Sequence, residues 1–154
     1  MGYLKTIDKD SVRDLLSSLF GKPCVVAKEK TPKDPTKGMY VRGRFVDDTG
    51  ELVALTLSDL PFAAFSGAAI AMLPPGGAED AVDEKELSGT LEDAYSEVLN
   101  VLSRLFNTEG RPHCRYTTME KAPLEDCEME AKESTLFRVE VDGYGTGHLL
   151  FLAG

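Results

Sequence analysis

The spacing of apolar residues predicts a helix over residues 11–20, where they recur at every third or fourth position. Ser11 is the predicted N-cap, and Asp14 three residues later provides a weaker relative of a capping box. Gly21 follows as a natural stop, because a glycine readily adopts the left-handed conformation that ends a helix. The chain therefore opens with a short amphipathic helix.

A second helix is predicted over residues 59–73, with Ser58 as its N-cap. Its sequence is rich in Ala and Gly, which would let it lie close against a sheet or another helix. No GxxxxGK[ST] or GxGxxG pattern is present, so a phosphate-binding loop is not favoured. The acidic stretch 74–89 that follows contains a helical turn, begins the next helix early or is mobile.

Strands are predicted on both sides of these helices. The first group comprises residues 23–30 and a hairpin of 38–48 and 51–57. The second group comprises residues 115–122, 127–133, 135–143 and 147–153, with 142–145 as a hairpin turn. The last strand is apolar on both faces and is expected in the centre of a sheet. Because strands flank the helices without alternating with them, the predicted fold is a single α+β domain spanning residues 1–154, a mostly antiparallel sheet with helices on one side.

The third helix, over residues 90–106, carries one narrow polar stripe. At about 100° per residue, Glu97 lies about 40° from Asp93, Asn100 about −20° and Arg104 about 20°. The apolar side chains cluster on the opposite side of the helix; they are Leu91, Tyr95, Val98, Leu102, Leu105 and Phe106. A plain solvated face is the first interpretation of such a stripe, since every amphipathic helix has one.

Composition narrows the function classes. The net charge is −9, from 17 basic and 26 acidic residues, and such a charge disfavours binding to nucleic-acid phosphates. The charged N-terminus and the absence of a long apolar run favour a cytoplasmic protein without a membrane span. Three scattered cysteines and two distant histidines predict reduced thiols and no zinc site. These five residues, Cys24, Cys114, Cys127, His113 and His148, are expected to be structural.

A proline at a fixed distance gives the polar stripe a second interpretation. Asp93, Glu97, Asn100 and Pro123 form the pattern Asp-x3-Glu-x2-Asn-x22-Pro. This pattern resembles the signature of the CheC/CheX/FliY family of response-regulator phosphatases, and the order of predicted elements is similar over nearly the whole chain. The single copy of the motif is closest to CheX-like members.

The resemblance implies hydrolysis of the phosphoaspartate of a CheY-like receiver domain. By this resemblance, Asn100 would orient the attacking water and Glu97 would contact the receiver's active-site lysine. Asp93 would lie at the rim of the contact, and Pro123 would shape the strand after the helix. No cofactor is implied in this chain, because the Mg²⁺ would belong to the receiver. A homodimer is also implied.

Arg104 departs from the pattern, since family members usually carry a small residue one turn after the Asn. Three interpretations are open: Arg104 obstructs a receiver, contacts the receiver's acidic phosphorylation pocket, or forms an ion pair with Glu97 or Asp93. A non-catalytic interaction or dimerisation module is therefore the alternative to a phosphatase. A small-molecule binder with the acidic segment 79–87 as a lid is a third class.

Overall fold

The computed structural model describes residues 4–5, 7–87, 89–107, 113–124 and 129–154. Within these described residues, ten elements follow one another: α1 Lys9–Phe20, β1 Cys24–Glu29, β2 Val41–Asp47, β3 Leu52–Ser58, α2 Leu60–Ile70, α3 Pro75–Glu84, α4 Gly89–Phe106, β4 Cys114–Lys121, β5 Glu133–Val141 and β6 Gly145–Ala153. This order confirms the predicted α+β class.

The six described strands form one sheet in the order β1-β5-β6-β3-β2-β4, and every neighbouring pair is antiparallel. The last strand, β6, lies between β5 and β3, as its two apolar faces predict. The edges of the sheet are β1 and β4. The hairpins β2–β3 and β5–β6 both confirm the sequence prediction.

The described helices cover one face of this sheet. Contacts place α1 on β1, α2 on β6 and α4 along β4, while α3 packs on α2. The main core lies between these two layers and is rich in aromatic rings, among them Phe45, Phe62, Tyr95, Phe106 and Phe151. The opposite face carries a smaller apolar cluster of Leu55, Leu57, Leu136, Leu150 and Leu152, packed against Met39, Leu52, Leu124 and Met129.

Both predicted N-caps are wrong, by small shifts with clear causes. Asp8 caps α1, because its carboxylate accepts the N–H of Ser11 at 2.8 Å while the Ser11 hydroxyl accepts the N–H of Asp8 at 3.0 Å. This reciprocal pair satisfies two otherwise free donors. Asp59 caps α2 by accepting the N–H of Phe62, while Ser58 is the last residue of β3.

The structure decides two further predictions, one about the acidic stretch and one about a strand. The acidic stretch contains a ten-residue helix, α3, with Ala78 and Ala81 buried. The strand predicted over residues 127–133 is wrong in its described part, because residues 129–132 are not in a strand and β5 begins only at Glu133. Met129 instead packs against the outer face of the sheet.

The small residues of α2 bring backbones close, as predicted. A Cβ added at Gly67 would lie 2.9 Å from the carbonyl oxygen of Leu91 in α4. A Cβ added at Gly147 in β6 would collide with the backbone of Phe62 in α2. These approaches set how deeply α2 and α4 sit in the molecule. No helix among the described residues is long and apolar enough to cross a bilayer.

Candidate functional site

The helix α4 is strongly amphipathic, and its buried side chains follow the predicted apolar face. Leu91, Tyr95, Val98, Leu102 and Phe106 are buried, and Leu105 is half-buried beside them. Leu99 is also fully buried, which the sequence prediction missed. A Cβ added at Gly43 in β2 would lie 3.1 Å from both methyl groups of Leu99. The absence of a side chain at Gly43 therefore makes room for one extra apolar contact of α4.

The four predicted stripe residues do share one exposed face of α4. Asp93, Glu97, Asn100 and Arg104 are all exposed, on the side opposite the core. Among the described residues, no hydrogen bond or ion pair engages the side chain of any of them; the Ser103 hydroxyl donates to the backbone carbonyl of Asn100 at 2.6 Å. The predicted ion pair of Arg104 with Glu97 or Asp93 is thus not formed within the described part of the chain. The stripe presents two carboxylates, a carboxamide and a guanidinium to solvent.

The edge strand β4 runs antiparallel along one flank of α4. Polar side-chain contacts join the two elements at three positions along the helix. At the C-terminal end, the Asn107 amide pairs with the backbone of Cys114. In the middle, the hydroxyl oxygens of Ser96 and Tyr116 lie 3.0 Å apart.

At the N-terminal end, the ammonium of Lys121 pairs with the carboxylate of Glu92 and donates to the carbonyl of Leu87 at 3.0 Å. The hydrogen bond to Glu92 raises the pKa of Lys121 above its usual value, because it stabilises the ammonium form. Sequence reasoning missed all three contacts.

The three contacts share one angular sector of the helix. With Asp93 at zero, Glu92, Ser96 and Asn107 lie at about −100°, −60° and −40°. Asn100, at about −20°, is the stripe residue nearest this flank. The strand β4 therefore borders the stripe on the side of its carboxamide.

The environment of Tyr116 links this border to the core. Its ring packs on Phe45 with the centroids 5.8 Å apart, and Phe45 packs on Phe106 at 4.9 Å. Burial raises the pKa of the Tyr116 phenol, the hydrogen bond to Ser96 lowers it, and the nearby Glu97 carboxylate raises it. The phenol is therefore neutral at physiological pH, and it lies close enough to the stripe for the Glu97 carboxylate to affect its pKa.

Pro123 follows the end of β4 and is exposed. The peptide bond between Ala122 and Pro123 is cis. The N–H of Ala122 donates to the carbonyl of Tyr40 at 2.7 Å, and this bond continues the pairing of β4 with the chain entering β2. The predicted structural role of Pro123 remains a prediction, and its side chain is not part of the stripe.

The thiols and histidines lie away from the stripe. Cys24 and Cys114 are buried and free, and burial raises the pKa of both thiols, that of Cys114 to about 12. Neither is therefore a thiolate at neutral pH. Cys127 lies outside the described residues. The described residues contain no group of three His, Cys, Asp or Glu side chains arranged to hold a metal ion.

The two histidines hold neighbouring elements through carboxylates. His113 Nδ1 lies 3.1 Å from the carboxylate of Asp48, close to the β2–β3 turn. His148 Nδ1 lies 2.8 Å from Asp59, the residue that caps α2, and its Nε2 lies 3.3 Å from Glu29 at the end of β1. These contacts are consistent with the structural roles expected for both residues.

Three open grooves on the surface have volumes of about 410 to 620 Å³, and none of them is lined by α4. The candidate site is an exposed helix face that lies outside these three grooves.

Comparison with known proteins supports the fold. No protein-family model and no curated protein sequence matches the chain. Among solved structures, the FliM middle domain from Vibrio alginolyticus is similar at 14% identity, with a TM-score of 0.67 over 98% of this chain and 92% of that one. FliY from Thermotoga maritima is 16% identical, with a TM-score of 0.61 over 95% and 89% of the two chains.

A structure of CheX in complex with CheY, BeF3 and Mg²⁺ from Borrelia burgdorferi is 15% identical, with a TM-score of 0.55 over 96% and 97% of the chains. The resemblance inferred from the motif is thereby confirmed at the level of the fold.

Proposed function

We propose that this protein is a phosphatase for the phosphoaspartate of a receiver domain and that the exposed stripe of α4 is its reactive surface. The observation that carries the proposal is the placement of Glu97 and Asn100. Both are exposed on one face of the helix α4, and among the described residues no hydrogen bond or ion pair engages either side chain. They are therefore available to a partner.

The reaction asks little of such a surface. An aspartyl phosphate is already activated, so hydrolysis requires chiefly that a water lie in line with the bond from phosphorus to the aspartate oxygen. The water oxygen attacks phosphorus, that bond breaks, and the aspartate carboxylate and inorganic phosphate are released. The amide of Asn100 suits the task, because it offers both a donor and an acceptor to one water molecule.

Docking would depend on the carboxylates of the stripe. Glu97 would pair with the ammonium of the receiver's active-site lysine, and such a charge-assisted bond orients as well as attracts. Asp93, one turn earlier on the same face, would contact the partner at the rim. Catalysis needs no cofactor in this chain, because the receiver supplies the Mg²⁺.

Two observations support this assignment. The motif residues Asp93, Glu97 and Asn100 share the predicted face. The fold is similar to that of a CheX solved with CheY, BeF3 and Mg²⁺, so a related structure does meet a receiver. A CheX-like homodimer is compatible with the proposal, since the stripe is open on a single chain.

The test is release of inorganic phosphate from a phosphorylated receiver, with and without the purified protein. Asn100→Ala should reduce the catalysed rate by about 100-fold, because the water is no longer held in line. Glu97→Ala should weaken docking and raise KM. Glu84→Ala, which removes an exposed acid from α3, is the matched control and should leave the rate unchanged. Equal rates for the wild type and Asn100→Ala would rule out the assignment.

A non-catalytic interaction module is the second candidate, and Arg104 favours it. This guanidinium is exposed on the same stripe, where it would meet any receiver that approached Asn100. The fold is also similar to that of a FliM middle domain, and this similarity does not imply catalysis. Binding of a phosphorylated receiver without faster phosphate release, in both wild type and Asn100→Ala, would establish this alternative.

A further inference from the structure

We infer that the hydroxyl pair of Tyr116 and Ser96 is a positioning contact, which fixes the turn of α4 that carries Glu97 and Asn100 against the edge strand β4. Its catalytic consequence rests on the proposed function. The structural part, that this contact restrains the turn, stands independently and can be measured without a receiver.

The location of Ser96 is the first argument. Ser96 lies one helical turn before Asn100, so these two side chains are neighbours on the helix surface, and Ser96 immediately precedes Glu97 in the same turn. Its hydroxyl is 3.0 Å from that of Tyr116, and either oxygen can be the donor. Of the described side-chain hydrogen bonds and ion pairs between β4 and α4, this one lies nearest in sequence to Glu97 and Asn100.

The rigidity of Tyr116 is the second argument. Its ring is held by Phe45, which is fully buried and packs in turn on Phe106 of α4. A phenol has only two side-chain torsions, so a ring packed in this way places its hydroxyl in one position. Tyr116 therefore connects the core of the molecule to the border of the stripe.

The stripe of α4 is exposed, so no described residue packs on its outer side to limit rotation of the helix about its axis. The other two polar side-chain contacts that join β4 to α4 lie near the ends of the helix, at Glu92 and Asn107. Among the described residues, the Tyr116–Ser96 pair is the side-chain hydrogen bond between β4 and α4 that lies between these two ends, one turn from the Asn100 amide. A small error in the placement of that amide is expected to reduce turnover strongly.

Two single-atom variants test this inference. Tyr116→Phe removes the hydroxyl and keeps the ring, while Ser96→Ala removes the same hydrogen bond from the helix side. Each should raise amide hydrogen exchange in residues 96–100 by about fivefold, the factor that corresponds to one hydrogen bond of about 1 kcal/mol. The double variant should be no worse than either single one, because both remove one shared contact.

Turnover supplies the second readout. Each variant should lower kcat for receiver dephosphorylation by about tenfold while KM changes by less than twofold, because the turn is misplaced but its charges remain. Tyr144→Phe is the matched control, since the Tyr144 hydroxyl donates to Leu73 at 2.6 Å far from the stripe. That variant should leave exchange in residues 96–100 and kcat unchanged.

The outcomes separate this inference from the proposed function. Unchanged exchange in Tyr116→Phe and Ser96→Ala overturns the inference, whatever the wild-type activity. Unchanged kcat in these variants, with Asn100→Ala inactive, overturns the catalytic consequence and leaves the phosphatase assignment standing. If wild type and Asn100→Ala are equally slow, the phosphatase assignment fails, and the exchange data alone decide whether the contact restrains the turn.

Discussion

The side chain of Asn107 pairs with the backbone of Cys114 as a neighbouring strand would. Its Oδ1 accepts the N–H of Cys114 at 2.7 Å, and its Nδ2 donates to the carbonyl of Cys114 at 2.7 Å. Nδ2 also donates to the carbonyl of Ser103 in the last turn of α4. One amide therefore joins the end of α4 to the beginning of β4.

We predict that Asn107→Ala lowers the free energy of unfolding by about 1–3 kcal/mol, because it leaves the donor and acceptor of the buried Cys114 without this partner. Chemical denaturation monitored by circular dichroism measures the change. The matched control is Asn100→Ala, which removes the same side chain from the exposed stripe of the same helix. It should change stability by less than about 0.5 kcal/mol. Equal losses in the two variants would contradict the role of the Asn107 pairing.

A second prediction concerns the close approach of α2 and α4. Gly67→Ala should destabilise the protein by about 1–3 kcal/mol, because the new methyl group would lie 2.9 Å from a backbone oxygen that cannot move independently of its helix. Gly76→Ala in α3 is the control, since a Cβ there meets nothing within 4 Å.

The Gly76 variant should instead stabilise the protein by about 0.4–1 kcal/mol, because alanine reduces the freedom of the unfolded chain. Thermal unfolding of both variants measures the difference in sign. A neutral or stabilising Gly67→Ala would show that the two helices separate without cost.

The sequence predicts those features of the fold that depend on residues close together in the chain, and it misses those that depend on residues far apart. The period of apolar residues places the core face of α4 correctly, because that period is a local property of one helix. It misses Leu99, whose burial depends on Gly43 in a distant strand. It also cannot anticipate that Asp8 rather than Ser11 caps α1, since the apolar pattern starts only at Val12 and the preceding polar turn is helical as well.

The same limit applies to the site. Asp93, Glu97, Asn100 and Arg104 share a face by helical geometry alone, so the stripe could be predicted from spacing. The contacts of β4 beside the stripe could not be predicted in this way. The hydrogen bond between Tyr116 and Ser96 joins two different elements, so no periodic spacing in the sequence indicates it. Ser58 illustrates the reverse error: its hydroxyl resembles a cap for α2 but accepts a hydrogen bond from the buried Tyr95 at 2.8 Å.

The last prediction concerns Arg104, and it distinguishes contact with the receiver from obstruction of the receiver. We expect it to contact the acidic phosphorylation pocket of the partner, because it is exposed on the stripe and no described residue forms an ion pair with it. Arg104→Ala should then raise KM for the phosphorylated receiver about twofold to fivefold, the range of one exposed ion pair, with kcat unchanged.

The effect of Arg104→Ala should shrink as salt is added, because screening weakens attraction between exposed charges. Lys33→Ala removes an equal charge from an exposed loop and should leave KM unchanged. Steady-state kinetics at two ionic strengths measure both variants. A faster turnover in Arg104→Ala would instead mean that the guanidinium obstructs the receiver. Identical kinetics in wild type and variant would assign Arg104 to a solvated face that the partner does not touch.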